Sequence, residues 1–225
     1  MKNWILYEDN HLIIINKPAG IPVQKDKSGD TSLLDITKNY IKKTYNKPGN
    51  VYVGLPHRID RPTSGIVILS KTSKCLSRMA EMFRERKIKK KYWAIVQKKI
   101  NKESNTLTHY LKKNRKKNKS YTSIKEKKGF LKAELKFQLI KKLNNYFLYK
   151  IHLISGRHHQ IRAQLSAIGA PIKGDIKYGF KRTNKDGSIH LHAREVFFQH
   201  PIQKKDIIIT ARPQLNDPIW KDCVK

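Results

Sequence analysis

One acid set among cations is the first feature of this 225-residue chain that could do chemistry. His57-Arg58-Ile59-Asp60-Arg61-Pro62-Thr63-Ser64-Gly65 places Asp60 beside two arginines and a histidine, in a turn that leads into an apolar run. As turn chemistry alone, Asp-Arg-Pro-Thr-Ser-Gly asks of Asp60 only that it bond local amides. A second segment changes the balance. Ser155-Gly156-Arg157-His158-His159-Gln160-Ile161-Arg162 concentrates hydrogen-bond donors with no carboxylate among them, follows a strand-like run and opens a helical stripe. An acid brought against Arg162 would be held ionised and oriented, because a nearby cation favours the charged carboxylate. An ionised, fixed Asp is what nucleophilic carboxylate catalysis needs.

Other chemistries lack their residues. Gly65-Ile66-Val67-Ile68-Leu69-Ser70-Lys71-Thr72 is one residue short of a phosphate-binding loop, with Ser70 where the second glycine belongs. Its four branched apolar residues favour a strand over a cradle of amides. No Gly-x-Gly-x-x-Gly occurs, so dinucleotide binding has no support. Neither the His158-His159 pair nor the His190, His192 pair has the i, i+4 spacing that puts two imidazoles on one helix face, and no carboxylate-rich partner sits nearby, so no metal site is expected. Ser64 lies outside a nucleophile elbow, and Cys75 falls within an expected helix.

The elements that must position these groups follow from hydrophobic periodicity. Residues 12–16 read as a strand ending at Lys17-Pro18-Ala19-Gly20. Asp30 and Thr31 are expected to cap a helix over 32–45, with Leu33, Leu34, Ile36 and Ile41 offered to a core. Residues 65–70 form a short apolar run that reads as a buried strand. A helix is predicted over 72–86, with Leu76, Met79, Ala80 and Phe83 inward. Residues 92–96 form a strand. From 98 to 128 the composition shifts to Lys, Asn and Ser, dense in cations over 112–119, which predicts loops and a lightly anchored hairpin. Ala133, Leu135, Phe137 and Leu139 alternate with mostly polar neighbours, as do Phe147, Tyr149, Ile151 and Leu153, so 142–145 should turn a hairpin with one buried face. Ile161, Leu165 and Ile168 give a helix stopped at Gly169-Ala170-Pro171, and strands close the chain at 196–198 and 207–210. Strands with interspersed helices and no regular alternation predict an α+β fold with a mixed, largely antiparallel sheet.

Composition bounds the partners. Lys and Arg number 49 against 17 Asp and Glu, a net charge of +32, and such self-repulsion points to a polyanion, with nucleic acid the foremost candidate. Lysine-rich codon bias is the bland alternative; charge counts as evidence for nucleic-acid contact and says nothing of chemistry. An anionic membrane surface is a weaker option, since no basic amphipathic helix with an aromatic face stands out. With 38% hydrophobic residues a real core is affordable; no signal peptide or membrane span is evident, and two cysteines build neither a disulfide framework nor a four-cysteine zinc site. A cytoplasmic protein is expected.

The same segments carry a resemblance. His57-Arg58-Ile59-Asp60-Arg61-Pro62-Thr63-Ser64-Gly65 is similar to the His-Arg-Leu-Asp-x-x-Thr-Ser-Gly box of the RluA-like family of RNA pseudouridine synthases. Asn16-Lys17-Pro18-Ala19-Gly20 resembles its Asn-Lys-Pro-x-Gly motif, and Lys90-Lys91-Tyr92-Trp93-Ala94 its Lys-x-Tyr-x-Ala strand. Ser155 to Arg162 resembles Thr-Gly-Arg-x-His-Gln-Ile-Arg, Gly169 to Asp175 the Gly-x-Pro-Ile-x-Gly-Asp after it, and His190-Leu191-His192-Ala193 a Leu-His-Ala element. Departures are mild: Ile59 for Leu, Ser155 for Thr, and His158 where Thr or Ser is usual.

The resemblance implies one catalytic domain over 1–225 in the pseudouridine synthase fold, helices flanking the sheet around an active-site cleft, without the S4-type module some relatives carry. It implies an isomerase acting on rRNA or tRNA as a monomer, with no cofactor and no metal. Asp60 would be the catalytic carboxylate, Arg162 its partner, and Tyr92 would pack against the uracil. Arg58 would fill the stack vacated by a flipped uridine, and His57, Arg61, Lys90, Arg157 and His159 would contact RNA. A non-catalytic RNA-binding or ribosome-assembly protein on the same fold, and a base glycosylase, are the alternatives.

Overall fold

The computed structural model describes residues 1–224; Lys225, the last position of the expected 1–225 domain, lies outside the described residues. In chain order the elements are β1 (Ile5–Glu8), β2 (Leu12–Lys17), α1 (Leu33–Thr44), β3 (Ser64–Ser70), α2 (Ser73–Arg84), β4 (Lys89–Val96), β5 (Ser104–Asn114), β6 (Lys119–Ser123), β7 (Leu131–Lys142), β8 (Phe147–Leu153), α3 (Gln160–Ala167), β9 (Leu191–Gln199), β10 (Asp206–Thr210) and α4 (Pro218–Val224). The fold is the expected α+β class, with a mixed, mostly antiparallel β-structure and four α-helices. Two compact units divide the chain: Met1–Ile88 with Ala193–Pro213, and Lys89–His192 with the segment from Gln214 onward.

In the first unit the strand order is β1-β2-β3-β9, with β10 on β9. Leu12, Ile13, Ile14 and Ile15 are all fully buried, and every residue of β3 is buried. A β-branched run with no polar alternation makes a strand covered on both faces. The antiparallel register runs from Leu12 opposite Ser70 to Lys17 opposite Gly65, so it sets the Asn-Lys-Pro-Ala-Gly turn against the end of the Asp60 segment. Gly65 has φ +108, and a Cβ there would lie 2.4 Å from the Ala193 carbonyl oxygen; only glycine fits.

Two helix details differ from expectation. The cap of α1 is Ser32, not Asp30 or Thr31: Ser32 and Asp35 satisfy each other's backbone N–H in a capping box, while Asp30 is drawn to Arg61. In α2 the inward ridge is Cys75 and Met79, with Leu76 and Phe83 half-buried beside it; Ala80 is exposed because the helix rolls its 75/79 ridge to the core.

In the second unit the order is β4-β8-β7-β5-β6. The predicted hairpin is present, with Ala133, Leu135, Phe137, Tyr149 and Ile151 buried and a register slip between Leu139 and Lys141. The 98–128 region is more ordered than its composition suggests. β5 pairs with β7 from Ser104 opposite Gln138 to Leu111 opposite Leu131, and with β6 from Tyr110 to Asn114. Only His109 and Leu111 of β5 are buried, so the backbone ladder, which leaves no apolar signature, organises the strand. β1 and α4 also carry little pattern; Trp220 and Cys223 of α4 pack on Ile95 and Leu148.

Candidate functional site

In the first unit, Asp60 is half-buried between exposed Arg58 and buried Ile59 on one side and a tight turn on the other, where Thr63 N–H donates to its carbonyl oxygen at 3.0 Å. The turn is pinned by Lys17. This side chain has no exposed surface, and its ammonium donates to the carbonyls of Pro18 (2.8 Å), Ile21 (3.0 Å) and Arg61 (3.1 Å). Three acceptors match the three donors of an ammonium. Burial draws the Lys17 pKa down to about 7; the Asp60 charge opposes that fall and Arg61 adds to it. Lys17 of the Asn-Lys-Pro motif therefore braces, through the Arg61 carbonyl, the turn that carries Asp60.

Arg61 faces the same loop. Its Nε donates to Gly20 O at 2.8 Å and its guanidinium pairs with Asp30 and, at 3.8 Å, with Asp26. His57 accepts the Ile68 N–H on Nε2 at 2.9 Å and stacks on Phe83 with ring centroids 4.5 Å apart. Both residues, expected to meet RNA, spend these groups on holding the segment in place. Arg58 and Arg61 are both exposed, but the Arg61 guanidinium is engaged by Gly20, Asp30 and Asp26.

In the second unit, Arg162 lies in the first turn of α3, 5% exposed, and Asp175, 1% exposed, takes it in a bidentate pair (Nε to Oδ2 2.7 Å, Nη2 to Oδ1 2.9 Å). A planar fork held this way cannot swivel. Its carbon centre also sits 5.0 Å from the Tyr178 ring centroid. The loop before α3 is tied by Gln160, whose amide accepts the Arg157 N–H at 2.9 Å and donates to Glu134 O at 3.0 Å. Arg157 Nε donates to Lys132 O at 3.2 Å. His159 is buried in the left-handed region at φ 51, with Nδ1 3.0 Å from the Tyr178 hydroxyl. Burial first, then Arg162, His158, Lys177 and Lys113, push its pKa down to about 2, so it stays uncharged and offers phosphate no cation.

Tyr92 is buried on β4, opposite Ile151 of β8. Lys90, on the same side of that strand, is half-buried, and its amine lies 3.5 Å from where a Cβ on Gly156 would be, so the Lys-x-Tyr strand and the Ser-Gly-Arg loop meet there. Burial lowers the Lys90 pKa. Among the described residues no group of three or more His, Cys, Asp or Glu is placed to hold a metal ion, and no helix is long and apolar enough to cross a membrane.

A family model described as RNA pseudouridylate synthase matches residues 11–167, a span that holds both segments. The chain belongs to that family. As an RNA pseudouridylate synthase family member, it falls among isomerases. It is 36% identical over 223 residues to the ribosomal large subunit pseudouridine synthase C of Buchnera aphidicola subsp. Baizongia pistaciae, covering 93% of this chain and 66% of the relative. The protein of the same name from Rickettsia prowazekii is 31% identical over 214 residues, covering 94% and 68%. The chain thus spans about two thirds of the length of these relatives. The solved structure of human RNA Pseudouridylate Synthase Domain Containing 4 superposes with a TM-score of 0.79 at 23% identity, over 95% of this chain and 89% of that one, and shares its fold.

Three residues that sequence reasoning left without a role stand out in this pseudouridylate synthase family member. Lys17 and Asp175 each lie inside a quoted motif, and a lysine or acid embedded among Pro and Gly is a signal for a buried partner. Tyr178, three residues past Asp175, has its ring beside both Arg162 and Lys119, and nothing in its local pattern marks it.

Proposed function

We propose that this chain isomerises one or more uridines of ribosomal RNA to pseudouridine, with Asp60 as the catalytic carboxylate. In that reaction the bond from ribose C1′ to N1 of uracil breaks, the base turns, and C1′ joins C5. C5 loses a proton and N1 gains one, so atoms and electrons balance with no co-reactant. The observation that carries the reading is the setting of Asp60: a side chain half-buried in a turn that the buried Lys17 braces, in a member of the RNA pseudouridylate synthase family. Ribosomal RNA is favoured over tRNA because curated relatives at 30 to 38% identity are large-subunit pseudouridine synthases.

A uridine stacked in RNA cannot present C1′ to a protein carboxylate, and extruding it costs a few kcal/mol. Arg58, exposed one residue before buried Ile59, is suited to fill the gap, since a guanidinium plane stacks on bases while its donors reach phosphates. Tyr92 supplies a flat apolar face for the extruded uracil. Arg162, whose guanidinium is fixed by Asp175, is the second charged residue assigned to the reaction in this reading. Asp60→Asn is the deciding variant. Pseudouridine formation on a large-subunit rRNA transcript should fall by roughly 10⁴-fold or more, as removal of a nucleophile does, with RNA affinity within a few-fold of wild type. An active Asn variant ends the mechanism, and a wild-type chain that binds RNA without forming pseudouridine supports a binding protein instead.

A further inference from the structure

The second unit ties its most basic segment to the helix that carries Arg162. The β5–β6 hairpin turns through Asn114-Arg115-Lys116-Lys117-Asn118 and runs into Lys119, four cations in six residues with no acid. Arg115, Lys116 and Lys117 are exposed. Just past this tip, Ser120 is buried and held from three directions. Its N–H donates to the Tyr178 hydroxyl at 2.8 Å. Its hydroxyl donates to the carbonyl oxygen of His158 at 2.7 Å, and His158 Nδ1 lies 2.9 Å from the same hydroxyl. The other ring nitrogen of His158 meets the Asn118 side chain at 3.2 Å. The His158 ring stacks on His159, centroids 3.7 Å apart and 22° from parallel, and His159 is the residue from which α3 starts. The Tyr178 ring completes the connection, with Lys119 Nζ 5.1 Å and the Arg162 guanidinium 5.0 Å from its centroid.

Four like charges on a two-stranded tip repel one another, and an isolated hairpin is marginal in water. His158 counters this at one point: its carbonyl and one ring nitrogen hold Ser120, its other nitrogen reaches the tip, and its face lies on the residue that sets the entry to α3. A serine at this position could meet Ser120 but neither span to Asn118 nor stack on His159.

We propose that His158 is a positioning residue that latches the basic hairpin to the first turn of α3, so that RNA phosphates held by Arg115, Lys116 and Lys117 fix the attitude of the helix bearing Arg162. The proposal rests on the reading of the chain as an RNA isomerase. The partner is an RNA backbone, recognised by charge without base reading.

The test uses the full chain and an unmodified large-subunit rRNA transcript, and reads the slope of log affinity against log salt together with kcat and KM. Each phosphate contact contributes about 0.7 to 0.9 to that slope. Replacing Arg115, Lys116 and Lys117 by alanine together lowers it by about two. His158→Ala alone lowers it by about one or more, lowers kcat/KM about tenfold, and adds nothing to the triple variant, because a tip without cations has nothing left to position. Asn118→Gly removes one arm of the latch at a residue with φ 43, where glycine is unstrained, and gives a smaller shift of the same sign. A purely structural His158 would cost stability and leave the slope alone. An unchanged slope in Asn118→Gly and in folded His158→Ala overturns the latch. A wild-type chain that binds the transcript and forms no pseudouridine overturns the isomerase reading instead, and the slopes still report on the hairpin.

Discussion

Asp175→Asn isolates the support of Arg162 from its chemistry. Both members of this pair are buried, 5% and 1% exposed, and they share two short hydrogen bonds. Removing one partner of a buried ion pair leaves the other charge uncompensated, at a cost of about 3 to 5 kcal/mol. Asparagine keeps the shape and one acceptor, so the lower figure, about 3 kcal/mol, is expected. With a urea m-value of about 2 kcal/mol/M, the unfolding midpoint should drop by about 1.5 M at unchanged m. Exchanging both partners for apolar residues, Asp175→Leu with Arg162→Met, removes the stranded charge and should recover most of that loss, because a buried pair replaced by well-packed hydrophobic groups is often neutral. The recovered protein should still form no pseudouridine. A midpoint shift below about 0.3 M for Asp175→Asn would show that solvent reaches the pair, and an active double variant would remove Arg162 from the mechanism.

Four further outcomes follow from the same geometry. His159, pushed down to about 2 by burial, binds its proton in the unfolded chain from about pH 6.5 but not in the folded one, so its presence should cost about 1.4 kcal/mol of stability per pH unit below 6.5, or about 2 kcal/mol at pH 5. His159→Asn should flatten the acid limb of urea midpoint against pH by that amount, and an equally steep limb refutes the neutral imidazole. Lys17→Met strands three carbonyls and should lower stability by about 3 kcal/mol in the same unfolding assay, whereas an unmoved midpoint would mean that water replaces the ammonium. Gly65→Ala forces a Cβ into the Ala193 backbone and should cost several kcal/mol or prevent soluble expression; a melting temperature within about 2 °C of wild type would contradict the close approach. Arg58→Ala, at an exposed position, should leave stability within about 0.5 kcal/mol yet slow turnover on structured RNA more than on an unpaired oligonucleotide, and equal effects on the two substrates would exclude a part in extrusion.

Where burial and periodicity coincide, the sequence was legible. The run from Leu12 to Ile15 and the alternation through Ala133, Leu135 and Phe137 became buried strands because each is the pattern a covered or half-covered strand imposes. β5 was not legible: its backbone pairs along both edges while its side chains are largely Ser, Asn, Thr and Lys, and amide ladders are indifferent to side-chain polarity. The cap of α1 slipped by one or two positions because Asp30, Thr31 and Ser32 are all good caps, and only the reciprocal bond with Asp35 selects among them. For the candidate site, the two charged segments were visible in sequence, but the residues that brace them were not. Lys17 reaches Arg61 across 44 positions and Asp175 reaches Arg162 across 13, and such pairings belong to the tertiary fold.

The same pairings explain why a count of cations overstates the RNA-binding surface. In a chain with 49 basic and 17 acidic residues, an acid tells more about its neighbours than a base does. Asp30 and Asp26 fix Arg61, Asp175 fixes Arg162, and Glu8 holds Lys71 at 2.8 Å. Each of these cations has a structural task that desolvates it or turns it from a passing phosphate. Exposed cations in acid-free stretches, such as the hairpin tip, keep their charge available to release counterions on binding. Arg58 is exposed too, yet it lies two residues from Asp60, so any phosphate it meets arrives beside the candidate carboxylate. If that sorting is right, neutralising Arg61 should change stability more than the salt slope, and neutralising the tip should change the slope more than stability; the reverse ranking would mean that surface charge, wherever it sits, is what RNA reads.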